Sequence, residues 1–254
     1  MSFDLLAPHY RWMEFVLAGN KLQRCRTAFL DRVGNAQNAL IVGEGNGRFL
    51  VECRRKLPTA RITVVDASAR MLAAARARLE HSGLDSRGVQ FIHTDTLCWK
   101  PDCASHDLVV THFFLDCFPH QQLEQVVANI ARSAAPGAAW LLADFQVPAL
   151  GLSRIRALAI HASMYAFFRV ATRLPARRLV PPDGFLTARN FVLHEQRTSE
   201  WGLLRSDLWK HTGHSSPPLA ANASARAKVT FSPSPSPLRE QCETTGAPRV
   251  SLPF

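Results

Sequence analysis

Five residues, Gly43-Glu44-Gly45-Asn46-Gly47, sit between an apolar run and a helical one, and they restrict most strongly what this chain can fold into. Ala39-Leu40-Ile41-Val42 before them reads as a buried strand, and Arg48 to Leu57 after them as a helix. Glycine adopts left-handed backbone angles without a side-chain clash. Such a turn therefore lets a ligand approach the main chain and presents helix N-terminal amides to it. The spacing selects among ligands. A dinucleotide fingerprint is G-x-G-x-x-G. Here the glycines form G-x-G-x-G, and Arg48 stands in the place of the third glycine. No G-K-[ST] follows, which excludes a phosphate-binding P-loop.

The chain then alternates strand and helix. Ile62-Thr63-Val64-Val65 is β-branched and reads as a second strand, and Ser68 caps a helix from Ala69 to His81. Val89 to Ile92 and Leu108 to Thr111 are the third and fourth strands. A helix from about Gln121 to Ala134, stopped by Pro136-Gly137, leads to a fifth strand from Ala138 to Phe145. Phe191 to Leu193 and Trp201 to Leu204 form a closing antiparallel pair. The expectation is an α/β fold, a doubly wound, mostly parallel seven-stranded sheet covered on both faces. One or two N-terminal helices lie between Tyr10 and Val33, broken at Gly19-Asn20. From Ser153 to Arg173 the period is helical, with Ile155, Leu158, Ala162, Tyr165 and Phe168 on one stripe and Arg154, His161, Arg169 and Arg173 largely elsewhere.

Composition divides the chain into a domain over residues 1–210 and a Ser/Pro/Ala-rich tail over 211–254. The tail contains Ser232-Pro233-Ser234-Pro235-Ser236-Pro237, lacks apolar periodicity and is expected to be disordered. The six cysteines match no common metal-ligand spacing, so no metal site is expected. No run of about 18 uncharged apolar residues is present. Met1-Ser2-Phe3-Asp4 lacks a basic n-region, and the expected compartment is the cytoplasm. The net charge of +10 comes from dispersed arginines without a Lys/Arg run or interleaved aromatics. Nucleic acid is therefore not an expected partner.

Asp66 ends the second strand, 23 residues after Gly43, where an acid opposite a glycine turn can accept hydrogen bonds from both ribose hydroxyls. Asp95, just past the third strand in His93-Thr94-Asp95-Thr96, can accept one from an adenine amine, and the fourth strand ends at Thr111-His112. The runs Leu40 to Gly47, Val64-Val65-Asp66-Ala67-Ser68 and Thr94-Asp95, with Pro136-Gly137-Ala138 ahead of a strand, resemble the class I (Rossmann-like) S-adenosylmethionine (SAM) dependent methyltransferase family. The likeness spans roughly residues 38–145. It implies SAM as cofactor, with the turn Gly43, Glu44, Gly45 and Gly47 at its methionine part. It also implies Asp66 and Ala67 at the ribose, Asp95 and Thr96 at the adenine, and His112 beside them. The family's usual acid two residues before the first glycine is Ile41 here, so Glu44 is expected to face the cofactor ammonium in its stead.

The acceptor expected from this reading is a small, apolar molecule. His112 to His120 lacks N-P-P-[YF], which argues against amino methylation of nucleic-acid bases. No catalytic residue is assigned: Asp116 or His112 is placed to act as a base, and equally to cap a helix or line the cofactor. Met164, Tyr165, Phe167 and Phe168 suit the wall of an apolar pocket, and the basic residues of helix 153–173 suit an acidic lipid surface. Other readings are an aminopropyl transferase, a nicotinamide oxidoreductase (which Arg48 opposes), a non-catalytic binding protein and an RNA methyltransferase.

Overall fold

The computed structural model describes residues 20–172 and 179–213. The chain divides into two units, Met1–His214 and Ser215–Phe254, and the described residues all belong to the first. The expected helix before Asn20, the side chains of Met164 to Phe168 and the tail beyond Gly213 lie outside the described residues.

Seven strands form one sheet in the order β3-β2-β1-β4-β5-β7-β6. They are β1 (Asn38–Val42), β2 (Arg61–Asp66), β3 (Val89–His93), β4 (His106–His112), β5 (Ala134–Phe145), β6 (Phe191–Ser199) and β7 (Leu204–His211). The first five pair in parallel; β7 pairs antiparallel with both β5 and β6. Central strands carry apolar residues toward both faces, because helices cover both. On one face, Phe49, Leu50 and Cys53 of α2 (Arg48–Lys56) and Leu72, Ala75 and Leu79 of α3 (Ala69–His81) pack on Ile41, Val64 and Val110. On the other, Leu123, Val126, Val127 and Ile130 of α4 (His120–Ser133) cover Leu40, Val109 and Trp140. The Ser68 hydroxyl accepts the Met71 amide at 3.2 Å, the expected cap of α3. At the amino ends of the strands, the Asp107 carboxylate accepts the Gln37 and Asn38 amides, both at 2.9 Å, and joins β1 to β4.

Two expectations are corrected. The segment Trp201 to Leu203 is a turn, not a strand: Glu200, Trp201 and Gly202 all have left-handed φ (53°, 62° and 79°), and Leu204 opens β7. The true strand carries Arg205, Ser206 and Asp207, all buried, so its pattern shows no apolar alternation. Pro136-Gly137 does not precede the fifth strand but lies within it. The pairing jumps from His106↔Ala134 to Leu108↔Ala139, and Gly137, at φ 77°, sits in the resulting bulge. Helix α5 (Leu152–Thr172) turns the described part of its apolar stripe outward: Ile155 and Leu158 are 65% and 46% exposed, while Ala157 and His161 are buried. Periodicity locates such a stripe without saying which side meets the protein. Two short helices complete the fold, α1 (Asn20–Thr27) over β5 and β7 and α6 (Asp183–Thr187) on the side of α4.

Trp140 is fully buried in β5, its indole N–H donates to the Thr111 hydroxyl at 2.8 Å, and its ring meets Phe191 edge-on. Trp140→Phe should lower the free energy of unfolding by about 2 kcal/mol through lost volume and a lost buried hydrogen bond. An unchanged urea midpoint would show that this packing contributes nothing.

Candidate active site

In open α/β sheets, ligands bind at the carboxyl ends of the strands, where the strand order reverses. Here the reversal falls between β1 and β4, and the glycine turn leaves the end of β1 at that point. Gly43, Gly45 and Gly47 all have left-handed φ (69°, 68° and 84°). At Gly47 a Cβ would stand 2.6 Å from the Ala75 Cα, so α3 packs directly on the turn. At Gly43 it would strike the Phe114 ring at 2.2 Å. Glu44 turns its carboxylate to the start of α2, where Oε1 accepts the amides of Phe49 at 3.0 Å and Leu50 at 2.9 Å. Arg78 of α3 donates to the Asn46 carbonyl at 2.7 Å, and Gln23 of α1 donates to the Arg48 carbonyl at 3.1 Å. The turn is thus held by three helices.

Asp66 bridges this turn to the next. Its Oδ1 accepts the Ser68 amide at 2.9 Å and its Oδ2 accepts the Gly45 amide at a long 3.4 Å. Burial raises its pKa, against the pull of the same two amides. The Ala67 carbonyl lies 3.1 Å from His93 Nε2. At the end of β3, Asp95 Oδ1 accepts the Leu97 amide at 2.9 Å, while the buried Thr96 presents its carbonyl to Asn129 of α4 at 2.9 Å. Thr96 is therefore tied to α4 and Asp95 to its own loop, whereas Asp66 is bonded to the glycine turn itself.

His112 closes β4. It is buried, edge-on to the Phe49 ring at 4.5 Å, and its Nδ1 meets no partner. Burial, aided by the Arg26 charge, holds its pKa well below the ordinary value, so the imidazole is neutral. The nine residues expected to touch the cofactor thus stand at the ends of β1 to β4. The Asp66 carboxylate with its long Oδ2 contact, the left-handed glycine turn and the orphaned His112 Nδ1 fit a nucleoside that carries a polar amino-acid arm.

Beside them lies a second group that sequence reasoning found only in part. Asp116, on the 3-10 turn after β4, and Asp144, near the end of β5, are both buried. Asp144 Oδ1 accepts the Phe145 amide at 2.8 Å, and burial, then the Asp116 charge, raises its pKa well above the carboxylate range. Burial pushes Asp116 up to about 6, against the Cys117 thiol, which lies 3.6 Å from its Oδ1. Two such neighbours titrate as a pair and resist double ionisation. Arg205 stands opposite Asp144 in the register and pairs with Asp183 at 3.0 Å and Asp207 at 2.5 Å. An acid closing an apolar strand, the signal that singles out Asp66, also marks Asp144. Nothing in the sequence marks Arg26, whose guanidinium lies 5.2 Å from the Phe113 ring centroid.

Burial raises the Glu44 pKa from an ordinary 4.5 to about 7, although the Leu50 amide, Arg26 and the Phe49 amide oppose it. Between those values the unfolded chain has lost a proton that the folded one keeps, so stability falls as pH rises from about 4.5 to about 7. The loss is at most about 3 kcal/mol, since Glu44 is only partly buried. Glu44→Gln keeps an acceptor for both amides and should flatten this slope in urea titrations across that range. An identical slope in the variant would remove Glu44 as its source.

Comparison with known proteins agrees with this geometry. Residues 39–137 match the family model of a methyltransferase domain. No curated protein sequence matches the chain. Solved structures with the same fold include an O-methyltransferase family protein from Burkholderia thailandensis (TM-score 0.59, 16% identity, 85% of this chain and 64% of that one). Mitomycin 7-O-methyltransferase MmcR is similar at TM-score 0.60 and 16% identity, over 83% of this chain and 61% of that one. The N-methyltransferase NodS from Bradyrhizobium japonicum WM9, solved with S-adenosylhomocysteine, aligns at TM-score 0.55 and 17% identity, over 77% of this chain and 90% of that one. The chain thus spans 64% and 61% of the lengths of the first two. Residues 39–137 thus match a methyltransferase domain, and the fold around them is the Rossmann-like one that SAM-dependent methyltransferases adopt.

Proposed function

We propose that this chain transfers a methyl group from SAM to a small, apolar molecule with an ionisable hydroxyl. The observation that carries the reading is Asp66, held at the end of β2 and bonded to Gly45 of the glycine turn. It is thereby aimed at the place where a ribose meets the methionine arm. In this reading Asp66 and Ala67 hold the ribose, Asp95 and Thr96 the adenine, and the turn with His112 the methionine part. Glu44 does not face the ammonium as expected from the sequence: its carboxylate is engaged by the Phe49 and Leu50 amides and braces the start of α2 behind the turn. SAM supplies an electrophilic methyl on a sulfonium.

The residues have three tasks in such a transfer: aligning the acceptor, excluding water and removing the acceptor's proton. Phe113 and Phe145, with ring centroids 5.2 Å apart at the ends of β4 and β5, offer an apolar surface for the acceptor. Asp116 is the group placed to take the proton as the new carbon–oxygen bond forms and the carbon–sulfur bond breaks. The O-methyltransferases among the structural neighbours support a hydroxyl acceptor. The four acids Asp116, Asp144, Asp183 and Asp207, with Arg205 among them, disfavour a phosphate backbone at this end of the sheet.

Two measurements test this. In calorimetry, SAM and S-adenosylhomocysteine should bind and NAD should not. Asp66→Ala should weaken SAM by about 1.5–3 kcal/mol, the worth of hydrogen bonds to a charged group. Tight NAD binding without SAM binding would overturn the reading. With an acceptor in hand, kcat should rise as pH passes through about 6, where Asp116 loses its proton. Asp116→Asn should remove that limb and lower kcat by about 10²–10⁴-fold, leaving SAM affinity unchanged. An unaltered pH profile would dismiss Asp116 as the base.

A further inference from the structure

Helix α5 is amphipathic in the wrong sense for a covering helix. Its inward side is Ala157 and His161, the latter with its ring 5.8 Å from Phe145. Its solvent side carries Leu152, Ile155 and Leu158 at helical spacing, with Leu150 just before them, and exposures of 84%, 65%, 46% and 83%. The turn that bears Trp201, itself 82% exposed, lies against this segment: Arg156 donates to the Glu200 carbonyl at 3.3 Å, and a Cβ on Gly202 would stand 3.1 Å from Pro148. A group of exposed apolar side chains of this kind marks an interaction surface.

Charge says what it meets. Arg154 and Arg156 are exposed beside the stripe. From Asp144 to Asp183 the sequence has no acidic residue between those two and six arginines: Arg154, Arg156, Arg169, Arg173, Arg177 and Arg178. No described helix is long and apolar enough to cross a membrane. Apolar side chains flanked by arginines, with a tryptophan at the rim, are the composition of a helix that lies in the plane of a lipid interface. Pairing with a second copy would oppose like charges, because a two-fold contact sets each arginine-bearing face against itself.

We propose that the outward face of α5, extended by Leu150 and Trp201, docks on an anionic lipid surface. The test uses the full chain and extruded vesicles of phosphatidylcholine with or without phosphatidylglycerol. Co-sedimentation should occur only with the anionic vesicles and weaken with added salt. It should fall at least about tenfold in Ile155→Asp, whose side chain is exposed and whose melting temperature should match the parent. The double variant Arg154→Gln, Arg156→Gln should lose the preference for phosphatidylglycerol. In the parent, brominated lipid should quench a tryptophan signal that Trp201→Phe removes. Failure of the parent to bind anionic vesicles, or equal binding by Ile155→Asp, would overturn the proposal. So would a dimer in light scattering that Ile155→Asp dissolves, which would assign the face to a second copy.

Discussion

A carboxylate set inside the glycine turn holds the start of α2, and the site is arranged around that bond. Glu44 accepts two amides of the first helical turn, satisfying donors that no intrahelical carbonyl reaches. With the helix start so anchored, the turn can run through three left-handed residues and still meet α3 at Gly47. The Gly45 amide then points to Asp66, and β2 is registered to the turn as well as to β1. The family's usual acid before the first glycine is Ile41 here, buried in the core. Its position is part of the packing, and the acids at the turn are Glu44 within it and Asp66 across from it.

The other half of the site is governed by burial of like charges. Asp116 and Asp144 are raised by the same dry surroundings, and Arg205 offsets part of the charge from the far side of β5. Arg205 is itself shared with Asp183 and Asp207, which ties α6 to the last strand of the sheet. The carboxyl ends of β4 and β5 are therefore rich in acids, although the chain as a whole carries +10. Bulk charge reports on encounters at the surface and says little about a buried cluster of acids around one guanidinium.

Much of the fold can be read directly from the sequence, because the central parallel strands are apolar on both faces and alternate with helices. The helix Ala69–His81 is such a case, with its Ser68 cap lying where spacing puts it. The antiparallel end is less legible. Buried Arg205 and Asp207 break the apolar pattern of β7, and the aromatic Trp201 that suggests a strand lies on an exposed turn instead. Asp66 and Asp144 are visible because each stands at the end of an apolar strand. Arg26 is not, since its contact with Phe113 joins residues far apart in the chain and leaves no local trace. The orientation of α5 is hidden for a related reason: a helix's period is local, and the neighbour that decides which side is buried is not.

The position of β7 bears on how the chain is made. It fills the gap between β5 and β6 yet comes last in sequence, ending at His211, 66 residues after Phe145 closes β5. A ribosome adding about 5–20 residues per second needs roughly 3–13 seconds to cover that interval. Meanwhile the nascent sheet has an open apolar edge at β5, and Asp144 has no Arg205 beside it. Such an edge recruits other strands. During translation the protein is thus most exposed to mispairing along the strand that will carry its buried acid.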